Sequence, residues 1–196
     1  MKIGLTGGIA SGKSMLSAYA KALGIQVIDA DVVSREVLDL YPEILTYLEE
    51  TYGDQVVQEG KLLRRALGRI IFQDPEKKKA YLSVIMPKIL WEIKKRLAET
   101  TEPWVLLDAP LLFEEGLEKD VDVTVVVWVS EETQERRLME RDGYGKEEAK
   151  ARIAAQWSLG YKKTLADHVI DNEGTKEESQ EAFLALLTSL GFSIKG

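Results

Sequence analysis

Eight consecutive residues near the amino terminus, Gly7-Gly8-Ile9-Ala10-Ser11-Gly12-Lys13-Ser14, satisfy the pattern G-x-x-x-x-G-K-S/T in full. Each residue type has a physical task. Glycines let the backbone curl so that successive N–H groups converge on an anion. A helix beginning near Lys13 turns its positive end toward the same place. Lys13 is then set to reach the β- and γ-phosphates of a nucleoside triphosphate, and Ser14 to offer its hydroxyl to Mg²⁺. The motif says what is gripped, not what receives a phosphoryl group.

Three carboxylates fall just after apolar runs that read as strands: Asp29, Asp31 and Asp108. In an open α/β sheet, ligands sit beyond the carboxyl ends of the strands. A hydroxyl acceptor needs a base for its proton, and Asp31, just past its strand, is the choice. Asp108 follows Trp104-Val105-Leu106-Leu107, a Walker-B-like arrangement. It could hold Mg²⁺ through water or orient the acceptor. The bland alternative is a turn or cap residue, since Asp is common at strand ends.

Arg136, Arg137, Arg141, Lys146, Lys150 and Arg152 cluster in an otherwise acidic chain. They fall on two polar segments joined at Asp142-Gly143-Tyr144-Gly145, with few apolar residues to anchor them. A mobile, arginine-bearing lid is expected, one that closes over a triphosphate. Arg137 and Arg141 share a helical face. The competing reading is a solvated helix with Glu–Arg pairs, Glu132 and Arg136 being spaced for one.

The elements that must position these groups follow from periodicity. Residues 2–6 read as a strand, followed by the glycine loop and a helix with Met15, Tyr19 and Leu23 on one face. A second strand covers 25–28. Residues 32–100 read as mostly helical. Pro42 opens one helix, Asp74-Pro75-Glu76 opens another, and Pro87 is expected to kink or split the latter. Strands follow at 104–107 and 121–129, the second β-branched almost throughout, as a strand buried on both faces should be. Charged helices are expected at 131–142 and 146–157, a short strand at 168–170, and a last helix behind the capping box of Thr175 and Glu178. Alternating strands and helices imply a parallel sheet with right-handed crossovers. His168 reads as structural. Trp91, Trp104, Trp128 and Trp157 read as core or interface residues.

Composition narrows the class. The formal charge of −7 shows none of the basic excess of a nucleic-acid binder. With no cysteine, disulfides, thiolate metal sites and cysteine nucleophiles are excluded. No segment approaches the roughly 20 apolar residues of a membrane span. Met1-Lys2-Ile3-Gly4-Leu5 runs straight into the glycine loop without a signal-like region. A cytoplasmic protein is expected, with no nucleic acid or membrane partner, as a monomer or small homo-oligomer.

Further residues carry a resemblance. Gly4-Leu5-Thr6-Gly7-Gly8-Ile9, Asp29-Ala30-Asp31, the run from Leu107 to Glu114, Arg137, Arg141-Asp142, Gln156 and Ala166-Asp167-His168-Val169-Ile170-Asp171-Asn172 resemble the dephospho-CoA kinases. Order and spacing agree across nearly the whole chain. The glycine loop is generic; the Pro-Leu-Leu-Phe-Glu segment and the Ala-Asp-x-Val-Ile-x-Asn tail are more specific. The resemblance implies an α/β, three-layer P-loop fold with a five-stranded parallel sheet. It implies a nucleotide-binding core at 1–31, 101–130 and 161–196, an inserted helical CoA-binding domain at 32–100, and a helical lid at 131–160. It implies ATP as co-substrate with Mg²⁺, and phosphorylation of the ribose 3′-hydroxyl of dephospho-CoA, the last step of coenzyme A synthesis. By residue, Ala10, Ser11, Gly12, Lys13, Ser14 and Met15 line the ATP phosphates after Gly7 and Gly8, and Asn172 and Gly174 lie toward the adenine. Asp31 is the base, with Lys13 and the lid arginines Arg137 and Arg141 completing the catalytic set. Arg64 and the segment Pro110, Leu111, Leu112, Phe113, Glu114 belong to the acceptor site with Asp31 and Asp108. Ser14 and Asp108 face the metal.

The chain departs from the family pattern at Ala10, where glycine is usual, and at Met15, where threonine is usual. It departs also at Met86, where histidine is common, and at Leu63, where a small polar residue is usual. Two other readings stay open: a nucleoside-monophosphate-type kinase with a different acceptor, and a nucleotide-responsive switch. No Asn-Lys-x-Asp guanine motif supports the switch.

Overall fold

The computed structural model describes residues 1–194. Positions 195 and 196, at the end of the 161–196 segment expected for the core, lie outside the described residues. In chain order the elements are β1 (Lys2–Gly7), α1 (Lys13–Ala22), β2 (Gln26–Asp29), α2 (Ala30–Leu40), α3 (Pro42–Tyr52), β3 (Val57–Gln58), β4 (Lys61–Leu62), α4 (Arg64–Gln73), α5 (Pro75–Glu99), β5 (Val105–Asp108), β6 (Val123–Trp128), α6 (Glu131–Asp142), α7 (Lys146–Ala154), α8 (Leu159–Leu165), β7 (His168–Asp171) and α9 (Lys176–Ser189). The chain divides into two compact units: residues 1–29 with 99–196, and Ala30–Ala98.

The first unit holds the expected five-stranded parallel sheet, in the order β2-β5-β1-β6-β7. From central β1 the chain runs out to β2, returns to β5, then crosses β1 to reach β6 and β7. The carboxyl end of β1 is therefore where the two directions part, the usual place for a ligand crevice. Uninterrupted apolar residues make this core. In β6, Val125 and Val127 join Leu16 and Ala20 of α1 and Phe183 and Leu187 of α9 in one cluster. Val126, pointing the other way, packs with Val129 and with Leu159 of α8. Helices thus cover both faces of the sheet. Met15, Tyr19 and Leu23 flank the buried Leu16 and Ala20 rather than forming the centre of the helix face.

The second unit differs from its sequence reading in two places. A two-stranded antiparallel hairpin, β3–β4, interrupts the helices. Its turn, Glu59-Gly60, has φ of 51° and 71°, the doubly left-handed geometry of a tight primed turn. Glutamate is an unusual first residue for such a turn, so the local signal was weak. Second, of the kink or split expected at Pro87 the split does not occur: α5 continues through the proline as one helix. A proline inside a helix costs about 3 kcal/mol. The buried stripe of Ile85, Ile89, Ile93 and Leu97 spans the proline and offsets that cost, since each fully buried side chain contributes about 1.5–3 kcal/mol. Asp74 caps α5 as expected, its Oδ1 accepting from the N–H groups of Glu76 and Lys77 at 3.1 Å each. Leu82 is exposed.

Trp104 packs edge-on against Phe192. Trp91 and Trp157, expected as core or interface residues, are not in the core, being 54% and 42% exposed. Lys95 lies over the Trp91 ring at 5.3 Å and Tyr161 leans on Trp157 at 5.2 Å, so each exposed ring has one neighbour against it.

Candidate active site

β1 delivers the glycine loop at the parting point of the sheet. Ile3 and Leu5, on the same face of β1, are fully buried in one cluster with α1 and α9, which fixes where Gly7 emerges. Gly12, the residue before α1, has φ 89°. A Cβ there would lie 2.1 Å from Asn172 Nδ2, so both backbone angle and space demand glycine. Ala10 also sits at positive φ, 59°. The left-handed region costs an L-residue about 1–2 kcal/mol, which accounts for glycine as the usual residue here. The Ala10 methyl packs, with Ile9, on Leu138, Ala149 and Ile153, and that contact offsets part of the strain.

The loop is braced from outside, mostly through its peptide oxygens. Gln134 Nε2 donates to Ile9 O at 2.8 Å, and Ile9 N–H donates to Gln156 Oε1 at 2.9 Å. Asn172 Nδ2 donates to Ser11 O at 2.7 Å, and Lys162 Nζ lies 3.4 Å from Gly7 O. With these carbonyls turned outward, the N–H groups of Gly12, Lys13 and Ser14 have no protein acceptor among the described residues. They are the orphan donors of a helix start, and the arrangement is one that binds anions.

Lys13 Nζ donates to Asp108 Oδ1. Asp108 is 4% exposed and is held by the pairing of β5 with β1 and with β2, where Asp29 lies opposite it in register. Ser14 is exposed in the first turn of α1. Met15 packs its partly buried side chain against the core and bonds its N–H to Gly12 O at 3.0 Å. Asp31 and Arg64 belong to the helical unit. Asp31 lies in the first turn of α2, where its carbonyl accepts from Ser34 Oγ at 2.8 Å. Arg64 opens α4 and donates to Arg35 O at 3.3 Å.

The 110–114 segment forms a turn after β5. Leu112 is fully buried over Gly4 while Leu111 is 40% exposed. Pro110 O accepts from Thr6 Oγ1 at 3.1 Å and from Lys162 Nζ at 2.6 Å, and Glu114 pairs with Lys162 at 2.8 Å.

The basic segment is less loosely held than its sequence suggests. Leu138, Ala149 and Ile153 form a small buried cluster. Arg137 Nη2 donates to Asn172 O at 2.8 Å. Arg141 is 58% exposed and forks onto Asp142 at 2.7 and 2.8 Å. Arg136 pairs with Glu140, not with Glu132. Ser130 caps α6 by accepting from Thr133 N–H at 3.2 Å. Glu173 accepts from the Thr133 hydroxyl at 2.6 Å and from Ser130 N–H, and these donors hold its carboxyl down at about 2. Gly174 leaves room for the capping box, since a Cβ there would lie 2.2 Å from Glu178 Oε2.

Three residues escaped the sequence reading as members of this framework. Gln134 sits on a polar helix yet is 4% exposed. Asp167 accepts from Thr124 Oγ1 at 2.7 Å and from Thr124 N–H at 2.8 Å, which lowers its carboxyl below the ordinary range. Lys162 is 1% exposed. Its only local signal is a place on the same face of α8 as buried Leu159, three residues earlier.

Comparison with known proteins points to one family. The family model described as dephospho-CoA kinase matches residues 1–178. A dephospho-CoA kinase of Clostridium tetani is 47% identical over 185 residues, 92% of this chain and 82% of that protein. A Thermus thermophilus protein of known crystal structure is 35% identical, with a TM-score of 0.80 and 98% of both chains covered. A dephospho-CoA kinase from Campylobacter jejuni is 26% identical, with a TM-score of 0.69 over 96% of both chains. With sequence, fold and phosphate loop in agreement, the chain belongs to the dephospho-CoA kinase family, ATP-dependent enzymes built on a P-loop fold.

Proposed function

We propose that the protein is a cytoplasmic, Mg²⁺-dependent enzyme that transfers the γ-phosphoryl group of ATP to the ribose 3′-hydroxyl of dephospho-CoA, releasing CoA and ADP. The family match over residues 1–178 is the observation that carries this reading. The loop geometry supports the chemistry.

The acceptor oxygen forms a bond to the γ-phosphorus as the bond from that phosphorus to the β–γ bridging oxygen breaks. The hydroxyl proton passes to the Asp31 carboxylate, and the electron pair leaves with ADP. Phosphoryl transfer needs positioning and charge neutralisation more than covalent help from the protein. The free N–H groups of Gly12, Lys13 and Ser14 serve the phosphate tail, and the Lys13 ammonium, steadied by Asp108, is directed toward it. Gly7, Gly8, Ala10, Ser11 and Met15 keep the loop's shape, and Asn172 and Gly174 lie toward the adenine. Arg137 and Arg141 supply positive charge to the transferring group. Arg64 and the 110–114 segment serve the acceptor. Ser14 and Asp108 offer the hard oxygen donors that suit Mg²⁺ and would hold it, one of them buried and already oriented by Lys13. Bound there, the ion would neutralise phosphate charge.

The test is a panel of acceptors with the purified protein, ATP and Mg²⁺. Dephospho-CoA should yield CoA and ADP one for one. Turnover of a nucleoside monophosphate with dephospho-CoA inert would reject the assignment.

A further inference from the structure

Lys162 has no part in the chemistry described so far, yet it is among the largest fully buried side chains of the described residues. Its ammonium meets Glu114 Oε1 at 2.8 Å, Pro110 O at 2.6 Å and Gly7 O at 3.4 Å. It donates to the two carbonyls and pairs by charge with the Glu114 carboxylate, whose oxygens have no hydrogen-bond donor among the described residues. Burying such an ion costs several kcal/mol, and an apolar residue of similar size is often as good for stability. Stability alone is a poor reason for a lysine here. What a lysine does, and an apolar residue cannot, is hold three oxygens at fixed places.

Those oxygens belong to two different parts of the site. Gly7 opens the phosphate loop. Pro110 and Glu114 bound the turn assigned above to the acceptor. Thr6, fully buried at the end of β1, donates to the same Pro110 oxygen, so the turn is pinned from β1 and from α8 together. The rigid placement of Lys162 comes from α8, capped by Ser158 and seated by Leu159 on the sheet.

We infer that Lys162 is a positioning residue: it fixes the 110–114 turn against the mouth of the phosphate loop, and so sets where the acceptor is held relative to the nucleotide. This rests on the acceptor role proposed for the turn. A displacement of about 1 Å at such a point can cost about 10²-fold in rate. Nucleotide binding depends on the loop's N–H groups, which Gln134, Gln156 and Asn172 brace independently.

Lys162→Met strands the Glu114 carboxylate, so the informative comparison is Lys162→Met/Glu114→Gln against Glu114→Gln alone. The pair differs only at Lys162. The double variant should show kcat/KM for dephospho-CoA about 10²-fold below the single variant. Its affinity for ATP, measured by calorimetry, should stay within about threefold. Amide exchange at residues 111–114 should be about tenfold faster. The inference fails if kcat/KM agrees within about threefold, if ATP affinity falls by the same factor as kcat/KM, or if exchange at 111–114 is unchanged. Wild-type inactivity on dephospho-CoA would instead strike the functional assignment. The same comparison is then made on the acceptor that does turn over, with the same expected ratio.

Discussion

The phosphate loop and the α6–α7 segment present polar groups in opposite ways. The loop makes few bonds with itself. Its carbonyls are held by Lys162, Gln134 and Asn172, side chains from distant parts of the chain that are each at most 5% exposed. In α6–α7 most charges pair with a neighbour on the same or the adjoining helix and face water: Arg136 with Glu140 at 3.7 Å, Arg152 with Glu148 at 2.9 Å, Lys146 with Glu135 at 3.5 Å. Arg137 is the exception, since it reaches Asn172 of the brace. The difference teaches where free energy resides. A buried donor left without its partner costs about 1–3 kcal/mol, whereas an exposed pair contributes about 0–1 kcal/mol. The loop is therefore built for fixed geometry, and the α6–α7 surface for exchangeable partners.

The largest effect should come from the loop's own charge. Lys13→Ala should lower kcat by at least about 10³-fold, with circular dichroism showing the fold retained. Near-normal turnover would remove Lys13 from the reaction. Next comes the brace. Asn172→Ala strips the donor from Ser11 O and the partner from Ser179 Oγ, which bonds Asn172 Oδ1 at 2.6 Å. Unfolding free energy should drop by about 2 kcal/mol, and ATP affinity should weaken with it. A loss no larger than that of an exposed pair would erase the contrast between the two regions.

Glu173 lies on the border of the two, anchoring the start of α6. Its carboxyl is depressed to about 2, so its contribution is present above the ordinary carboxylate range and is lost as pH falls from about 4.5 toward 2. Because the side chain is exposed, screening limits the contribution to about 1 kcal/mol or less. Glu173→Gln should flatten stability against pH in that window, as read by denaturant titrations. An unaltered acid limb would contradict the anchor. The smallest effect is expected for Glu148→Ala, which opens an exposed pair and should change stability by less than about 0.5 kcal/mol. A cost above 1 kcal/mol would show that the α6–α7 surface is not the loosely paired face described here.

The legible parts of this molecule share one property: their causes lie within a few residues. The glycine loop, the caps Asp74 and Thr175, and the β-branched run of β6 were all readable because each acts on its own neighbourhood. Asp108 was marked by its place after an apolar strand, and Lys13 by its motif; that they meet was not readable. Elsewhere local signals misled. Pro87 allows a kink or a split, and a buried stripe prevents the split, while Glu59-Gly60 turns a hairpin without the usual asparagine or aspartate. The polarity of the 131–154 stretch concealed the cluster of Leu138, Ala149 and Ile153.

By itself, then, the sequence determined the strand–loop–helix that grips phosphate, the alternation that yields a parallel sheet, and the resemblance that gives the family. The identity of the brace was decided only by the tertiary structure. Gly7 and Lys162 are 155 residues apart, Ile9 and Gln134 are 125, and Ser11 and Asn172 are 161. A glutamine or lysine looks alike in any polar stretch. Only when the sheet brings β1, α6, α8 and β7 together does one such side chain find a buried carbonyl, and from then on it can no longer exchange that partner for water.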